Sequence, residues 1–126
     1  MLICDDEVEL ADELGEFFEG HGWHVHVCVT GAAAVASLRA GLAPLVLITD
    51  LRISDFDGAQ VVAATRDLPV DQRPLMTIII TGHVMDTASA ADFMCDDLSV
   101  KPIEPDALLQ RIEAFLAARG SKPDWG

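Results

Sequence analysis

Apolar residues along this chain fall into short continuous runs separated by stretches with helical periodicity. Leu2-Ile3-Cys4, Leu45-Val46-Leu47-Ile48-Thr49, Met76-Thr77-Ile78-Ile79-Ile80 and Leu98-Ser99-Val100 are too short for helices and mostly rich in β-branched residues. They read as strands. Trp23 to Val29 alternates as a further strand, with Val25 and Val27 on one face and His24 and His26 on the other. Between the strands, apolar positions recur at helical spacing: Val8, Leu10, Ala11, Leu14, Phe17 and Phe18 predict a helix over 7–20. Further helices are expected over 30–40, 58–68 and 85–94. Leu108, Leu109, Ile112, Phe115 and Leu116 form the stripe of a last one over 106–119, with Pro105 at its start. Five strands alternating with five helices predict an α/β domain on a parallel sheet. The run ending at Thr49, apolar on both faces, suits a central strand.

Chemistry-bearing residues stand where these runs stop. Asp5 and Asp6 follow the first run, Asp50 the third, Thr81 the fourth and Lys101 the fifth, with Pro102 next. Ligands of such sheets bind beyond the carboxyl ends of the strands. The reading therefore gathers three carboxylates, a hydroxyl and an ammonium group at one rim, a set suited to one hard cation and one phosphoryl group.

Bulk properties narrow the picture. At 126 residues and 51% hydrophobic, the chain is one domain with one core, expected over 1–119, and 120–126 reads as a tail or linker start. No apolar run reaches membrane-spanning length, and the first strand leaves no room for a signal peptide. That strand is short enough to suggest a few residues missing ahead of it. Three cysteines without metal-ligand spacing point to a reduced, cytoplasmic setting. A formal charge of −13 leaves no basic footprint for nucleic acid. His24 and His26 have a spacing that can hold a metal, but no further ligands lie nearby, and that site is rejected.

Each rim residue alone has an ordinary explanation. Asp5-Asp6 can be a solvated turn capping the next helix, and Thr81 and Lys101 can be solvated loop residues. Jointly they point to chemistry. Mg²⁺ takes an octahedral shell of oxygens, which Asp5, Asp6, Asp50 and the backbone carbonyl of Arg52, just past Asp50, can supply. A carboxylate such as Asp50 can also attack phosphorus to give an aspartyl phosphate. Lys101 and Thr81 can then meet the phosphoryl oxygens. Proline after Lys101 restricts it to extended backbone and makes the Lys101–Pro102 bond a cis candidate.

These pieces, Ile3-Cys4-Asp5-Asp6-Glu7, Ile48-Thr49-Asp50 with Gly58 eight residues on, Ile80-Thr81-Gly82-His83 and Val100-Lys101-Pro102-Ile103, resemble in order and spacing the receiver domain of two-component response regulators, the CheY-like superfamily. The resemblance runs from Leu2 to about Ala118. It implies a flavodoxin-like, doubly wound (βα)5 three-layer sandwich with strand order 2-1-3-4-5. It further implies Asp50 as phosphoacceptor, Asp5 and Asp6 as acids for Mg²⁺ or Mn²⁺, Lys101 as the phosphate-pairing cation and Thr81 as the switch hydroxyl. Arg52 and His83 would flank the phosphate. The implied partners are a sensor histidine kinase or a histidine phosphotransfer protein. A homodimer through the face of the fourth helix, fifth strand and fifth helix is a further expectation, in which Arg111 and Arg119 of the last helix can meet acidic groups of the partner.

The chain departs from the family at three places. Leu98 stands where an aromatic switch residue is common, Ser54 where proline is frequent, and Met94-Cys95 where Gly-Ala often precedes the fifth strand. The expected function is a phosphorylatable signalling switch rather than an enzyme, either stand-alone or cut from a larger protein. The alternatives are a docking module that no longer switches, and an aspartyl-phosphate phosphohydrolase. The latter generally needs an acid two residues past its nucleophile, where this chain has Arg52.

Overall fold

A computed structural model describes residues 1–53, 57–82 and 94–119. Five parallel strands form one sheet in the order β2-β1-β3-β4-β5, with β1 at Leu2–Cys4, β2 at His26–Cys28, β3 at Val46–Asp50, β4 at Met76–Thr81 and β5 at Asp97–Val100. Four helices are described: α1 (Val8–Gly20), α2 (Gly31–Arg39), α3 (Gly58–Ala64) and α4 (Pro105–Ala118). The helix expected over 85–94 lies, except for Met94, outside the described residues, as do His83, Ser54 and the tail over 120–126.

Strand periodicity divides the core into two layers. Met1 and Ile3, Val46 and Ile48, and Met76, Ile78 and Ile80 face α1 and α4, where Ala11, Leu14, Phe18, Leu108, Ile112 and Leu116 complete one buried cluster. Leu2 and Cys4, Leu47 and Ile79 face the opposite way, onto Ala34, Val35 and Leu38 of α2 and Val61 and Val62 of α3. Successive strand residues point to opposite faces, so β1, β3 and β4, buried throughout, carry mainly apolar residues between the two layers, with Thr49, Asp50, Thr77 and Thr81 as their buried polar members.

Helix starts follow local chemistry. The Thr30 hydroxyl accepts the Ala33 N–H at 3.1 Å and caps α2. Asp57 and Gln60 form a reciprocal capping box at α3, in which Asp57 Oδ1 accepts from the Ala59 N–H at 2.8 Å and Gln60 Oε1 from the Asp57 N–H at 2.9 Å. Pro105 occupies the first turn of α4.

Two elements are shorter than the sequence predicts. β2 keeps only His26–Cys28 of the run from Trp23 to Val29, because β1 offers just Leu2–Cys4 as its partner. The alternation within that run holds: Val25 and Val27 pack toward α1, and the His26 ring reaches Ser37 of α2 at 3.3 Å. The helix over 58–68 stops being α-helical at Ala64 and continues as a 3₁₀ turn, Thr65–Asp67. There the Thr65 hydroxyl donates to the Val62 carbonyl at 2.6 Å, and Arg73 binds the Leu68 and Arg66 carbonyls at 2.9 and 2.8 Å. These side chains serve helix-end carbonyls that would otherwise lack partners. All three cysteines are buried.

Candidate functional site at the strand ends

The same alternation positions the site. Asp5 continues the face of Met1 and Ile3, Asp50 that of Val46 and Ile48, and Lys101 that of Asp97 and Ser99. The three side chains therefore converge on one side of the sheet. Lys101 Nζ donates to Asp50 Oδ2 at 3.2 Å and lies 3.7 Å from Asp5 Oδ2. Asp5 and Asp50 are buried while Asp6 is exposed, yet ligand oxygens of all three lie within 4.8 Å of one another. Thr81, buried at the end of β4, is paired in register with Val100 and shares the opposite face with Ile79.

Backbone contacts hold this rim. The Asp5 N–H donates to the Cys28 carbonyl at 3.1 Å, and the Lys101 N–H to the Thr81 carbonyl at 2.8 Å. The Lys101–Pro102 bond is cis. Beyond Asp50 the chain folds back so tightly that the Gly58 N–H reaches the Leu51 carbonyl at 2.7 Å. A Cβ at Gly58 would collide with the Asp50 carbonyl oxygen and stand 3.0 Å from Leu51 Cα. Glycine is required there by close backbone approach. Arg52 is exposed and forms an isolated antiparallel bridge with Asp57.

Electrostatics mark the site as crowded with negative charge. Burial pushes the Asp5 carboxyl up to about 6, and the Asp50 and Glu7 charges add to that. The Glu7 N–H, donating to Asp5 Oδ1 at 2.9 Å, and the Lys101 ammonium pull it back only in part. Burial works against the Lys101 ammonium, but its bond to Glu7 and the Asp5 and Asp50 charges outweigh it and raise its pKa above the ordinary lysine value. Four carboxyl groups, those of Asp5, Asp6, Glu7 and Asp50, gather about one ammonium among the described residues. Hard oxygen donors at this spacing fit a small divalent cation such as Mg²⁺ or Mn²⁺.

One feature, the reach of Glu7, escaped the sequence reading. Glu7 Oε1 accepts from Lys101 Nζ at 3.1 Å across 94 positions of sequence. Its signal was a third acid behind an acid pair, at a helix start where glutamate is a poor cap. Met94, at a position where the resemblance expects glycine, takes a left-handed backbone with φ of 59°. Its carbonyl accepts from Arg66 Nη2 at 3.3 Å. Leu98 is half-buried and packs against the α2–α3 side of the core.

The sequence matches the family model described as the response regulator receiver domain over residues 1–113. PprB of Pseudomonas aeruginosa, a two-component response regulator, is 30% identical over 118 residues covering 90% of this chain and 42% of that protein. The transcriptional regulatory protein PrrA of Mycobacterium tuberculosis is 29% identical over 121 residues, 96% of this chain and 51% of that protein. The chain thus spans about half the length of these curated relatives. Among solved structures, a CheY-like receiver domain from Methanospirillum hungatei superposes with a TM-score of 0.79 at 21% identity, covering 97% of this chain and 96% of that one. A two-component response regulator from Clostridium difficile does so with a TM-score of 0.80 at 19% identity, covering 92% and 93%. Sheet order, rim and family match agree: the chain belongs to the response regulator receiver domain family.

Proposed function

We propose that residues 1–119 form a phosphoacceptor unit that takes a phosphoryl group on Asp50 from a sensor histidine kinase or a histidine phosphotransfer protein. The observation that carries this reading is the contact of Lys101 with both Asp50 and Asp5 beside a third acid within 4.8 Å. An Asp50 oxygen attacks phosphorus, the phosphorus–nitrogen bond of the donor phosphohistidine breaks, and its electron pair leaves with the imidazole. Such transfer depends on positioning and on neutralising charge over the phosphoryl oxygens. Lys101 serves one oxygen, and the Thr81 hydroxyl turns toward another.

Asp5, Asp6, Asp50 and the Arg52 carbonyl would hold Mg²⁺ or Mn²⁺, which when bound neutralises phosphoryl charge. By sequence position, two residues beyond Asp50 and Thr81, Arg52 and His83 are the residues we assign to tuning the approach of water. The new charge then shifts a pre-existing equilibrium in the surface made by β5, α4 and the helix expected over 85–94, the face through which a second copy or an output partner docks. We place this work in the cytoplasm.

Intact-protein mass after incubation with acetyl phosphate, with and without Mg²⁺, tests the proposal. A Mg²⁺-dependent gain of one phosphoryl group, absent in Asp50→Asn, is the expected result. The half-buried Leu98, packed into the core where the family often carries an aromatic, favours a second reading as a docking module that does not switch. Mg²⁺ binding without phosphoryl gain or beryllofluoride uptake would select it.

A further inference from the structure

We infer that Glu7 holds the Lys101 ammonium in the unphosphorylated chain and must release it when a phosphoryl group arrives, so that this positioning residue sets how readily the site accepts one. The inference rests on the phosphoacceptor reading above.

Glu7 is the N-cap of α1, in extended backbone with φ of −79° and ψ of 92°. A capping side chain ordinarily accepts an N–H of its own first turn, but Glu7 makes no such bond. Its carboxylate turns instead across the rim to Lys101. The backbone on either side is fixed. The Glu7 N–H is held by Asp5 Oδ1, and the Glu7 carbonyl accepts from the Ala11 N–H at 3.0 Å. The side chain is thereby aimed from a rigid base at the one ammonium in the site.

Lysine has three N–H donors and no acceptor. Two of the Lys101 contacts fall within hydrogen-bond distance, Glu7 Oε1 at 3.1 Å and Asp50 Oδ2 at 3.2 Å, while Asp5 Oδ2 stands off at 3.7 Å. A phosphoryl oxygen joined to Asp50 arrives beside Lys101 and needs one of those donors. Glu7 and Asp50 occupy two, the Asp5 charge draws on the third, and the Glu7 charge repels the incoming oxyanion. The pairing is also easy to undo. The Glu7 side chain is 63% exposed against 8% for that of Asp50, so water replaces the lost contact at the outer partner. Glu7 and the phosphoryl group therefore compete for one ammonium, and the exchange takes place at the solvent side.

Beryllofluoride titration of the full chain in saturating Mg²⁺ tests this, with thermal unfolding as a check on folding. Glu7→Gln keeps the shape and removes the charge. Glu7→Asp keeps the charge but is one methylene short of Lys101. Glu9→Gln removes an equal charge from an exposed residue in the first turn of α1 that is not an ion partner of Lys101 among the described residues. We expect half-saturation to fall about threefold to tenfold in Glu7→Gln and by a smaller factor in Glu7→Asp, with Glu9→Gln within about twofold of the native chain. No change or a weaker response in Glu7→Gln, against normal uptake by the native chain, overturns the inference alone. Equal gains in Glu7→Gln and Glu9→Gln also overturn it, because general charge would then suffice. No uptake by the Mg²⁺-bound native chain overturns both this inference and the phosphoacceptor reading.

Discussion

Acids at opposite ends of the β4–β5 pair live under different terms. At the amino end, Asp96 Oδ2 accepts from the Thr77 N–H at 2.8 Å and from the Thr77 hydroxyl at 3.2 Å, and its own N–H donates to the Thr77 carbonyl at 2.9 Å. Its neighbour Asp97 has Arg111 Nη2 at 2.9 Å, and Ser99 completes that group through a further bond to Arg111. Every acid there has local donors, nearly one for one. At the carboxyl end, Asp5, Glu7 and Asp50 share Lys101, and Asp6 adds more negative charge. Desolvation and mutual repulsion raise the Asp5 pKa, and the Glu7 N–H and Lys101 answer them only in part. Acids placed for stability find donors, whereas crowded, partly desolvated acids in one place mark a site kept ready for something else.

The largest perturbation of the rim comes through its backbone. Gly58→Ala forces a Cβ into the Asp50 carbonyl and should cost about 3 kcal/mol, read as a lower urea midpoint at unchanged slope. Little loss would mean that the turn after Asp50 can open.

Next in size, Asp96→Ala leaves the buried Thr77 hydroxyl and N–H without their acceptor, a loss of about 2 kcal/mol. The sign reverses at the rim. The Asp5 pKa of about 6 lies above its ordinary 3.8, so the ionised group opposes folding fully above pH 6. That cost shrinks as the pH falls through 6 and is gone below 3.8. Asp5→Asn should therefore be more stable than the native chain by about 1 kcal/mol at pH 8 without divalent cations, and equal to it near pH 4. Thermal unfolding across that range, repeated with Mg²⁺, checks the contrast. Mg²⁺ should raise the native midpoint and leave Asp5→Asn nearly unmoved. A destabilised Asp5→Asn at pH 8 would place Asp5 with Asp96 among the structural acids.

Much of the fold was legible because burial on two faces writes itself as unbroken apolar runs. β3 and β4 could be read to within a residue, and the α4 stripe of Leu108, Ile112 and Leu116 is as regular in space as in sequence. The rim was legible because strand ends in a parallel sheet converge, so that position along the run stood in for position in space. What remained hidden depended on partners far along the chain. The length of β2 was set by β1, and the end of α3 by Thr65 and Arg73. The turn of Glu7 away from its own helix needs Lys101, which no local pattern announces.

The alternation that sorts β1 and β3 between the two core layers also aims Asp5 and Asp50. Chemistry and packing are thus written in a single count of odd and even positions, and neither can slip without the other. Losing one residue inside β1 would put Asp5 out of step with Met1 and Ile3, so that either the packing residues change layers or Asp5 swings away from Lys101. A change of length is tolerated better in a connection such as 41–44 than inside a strand, because it leaves the odd and even positions of the strands in step.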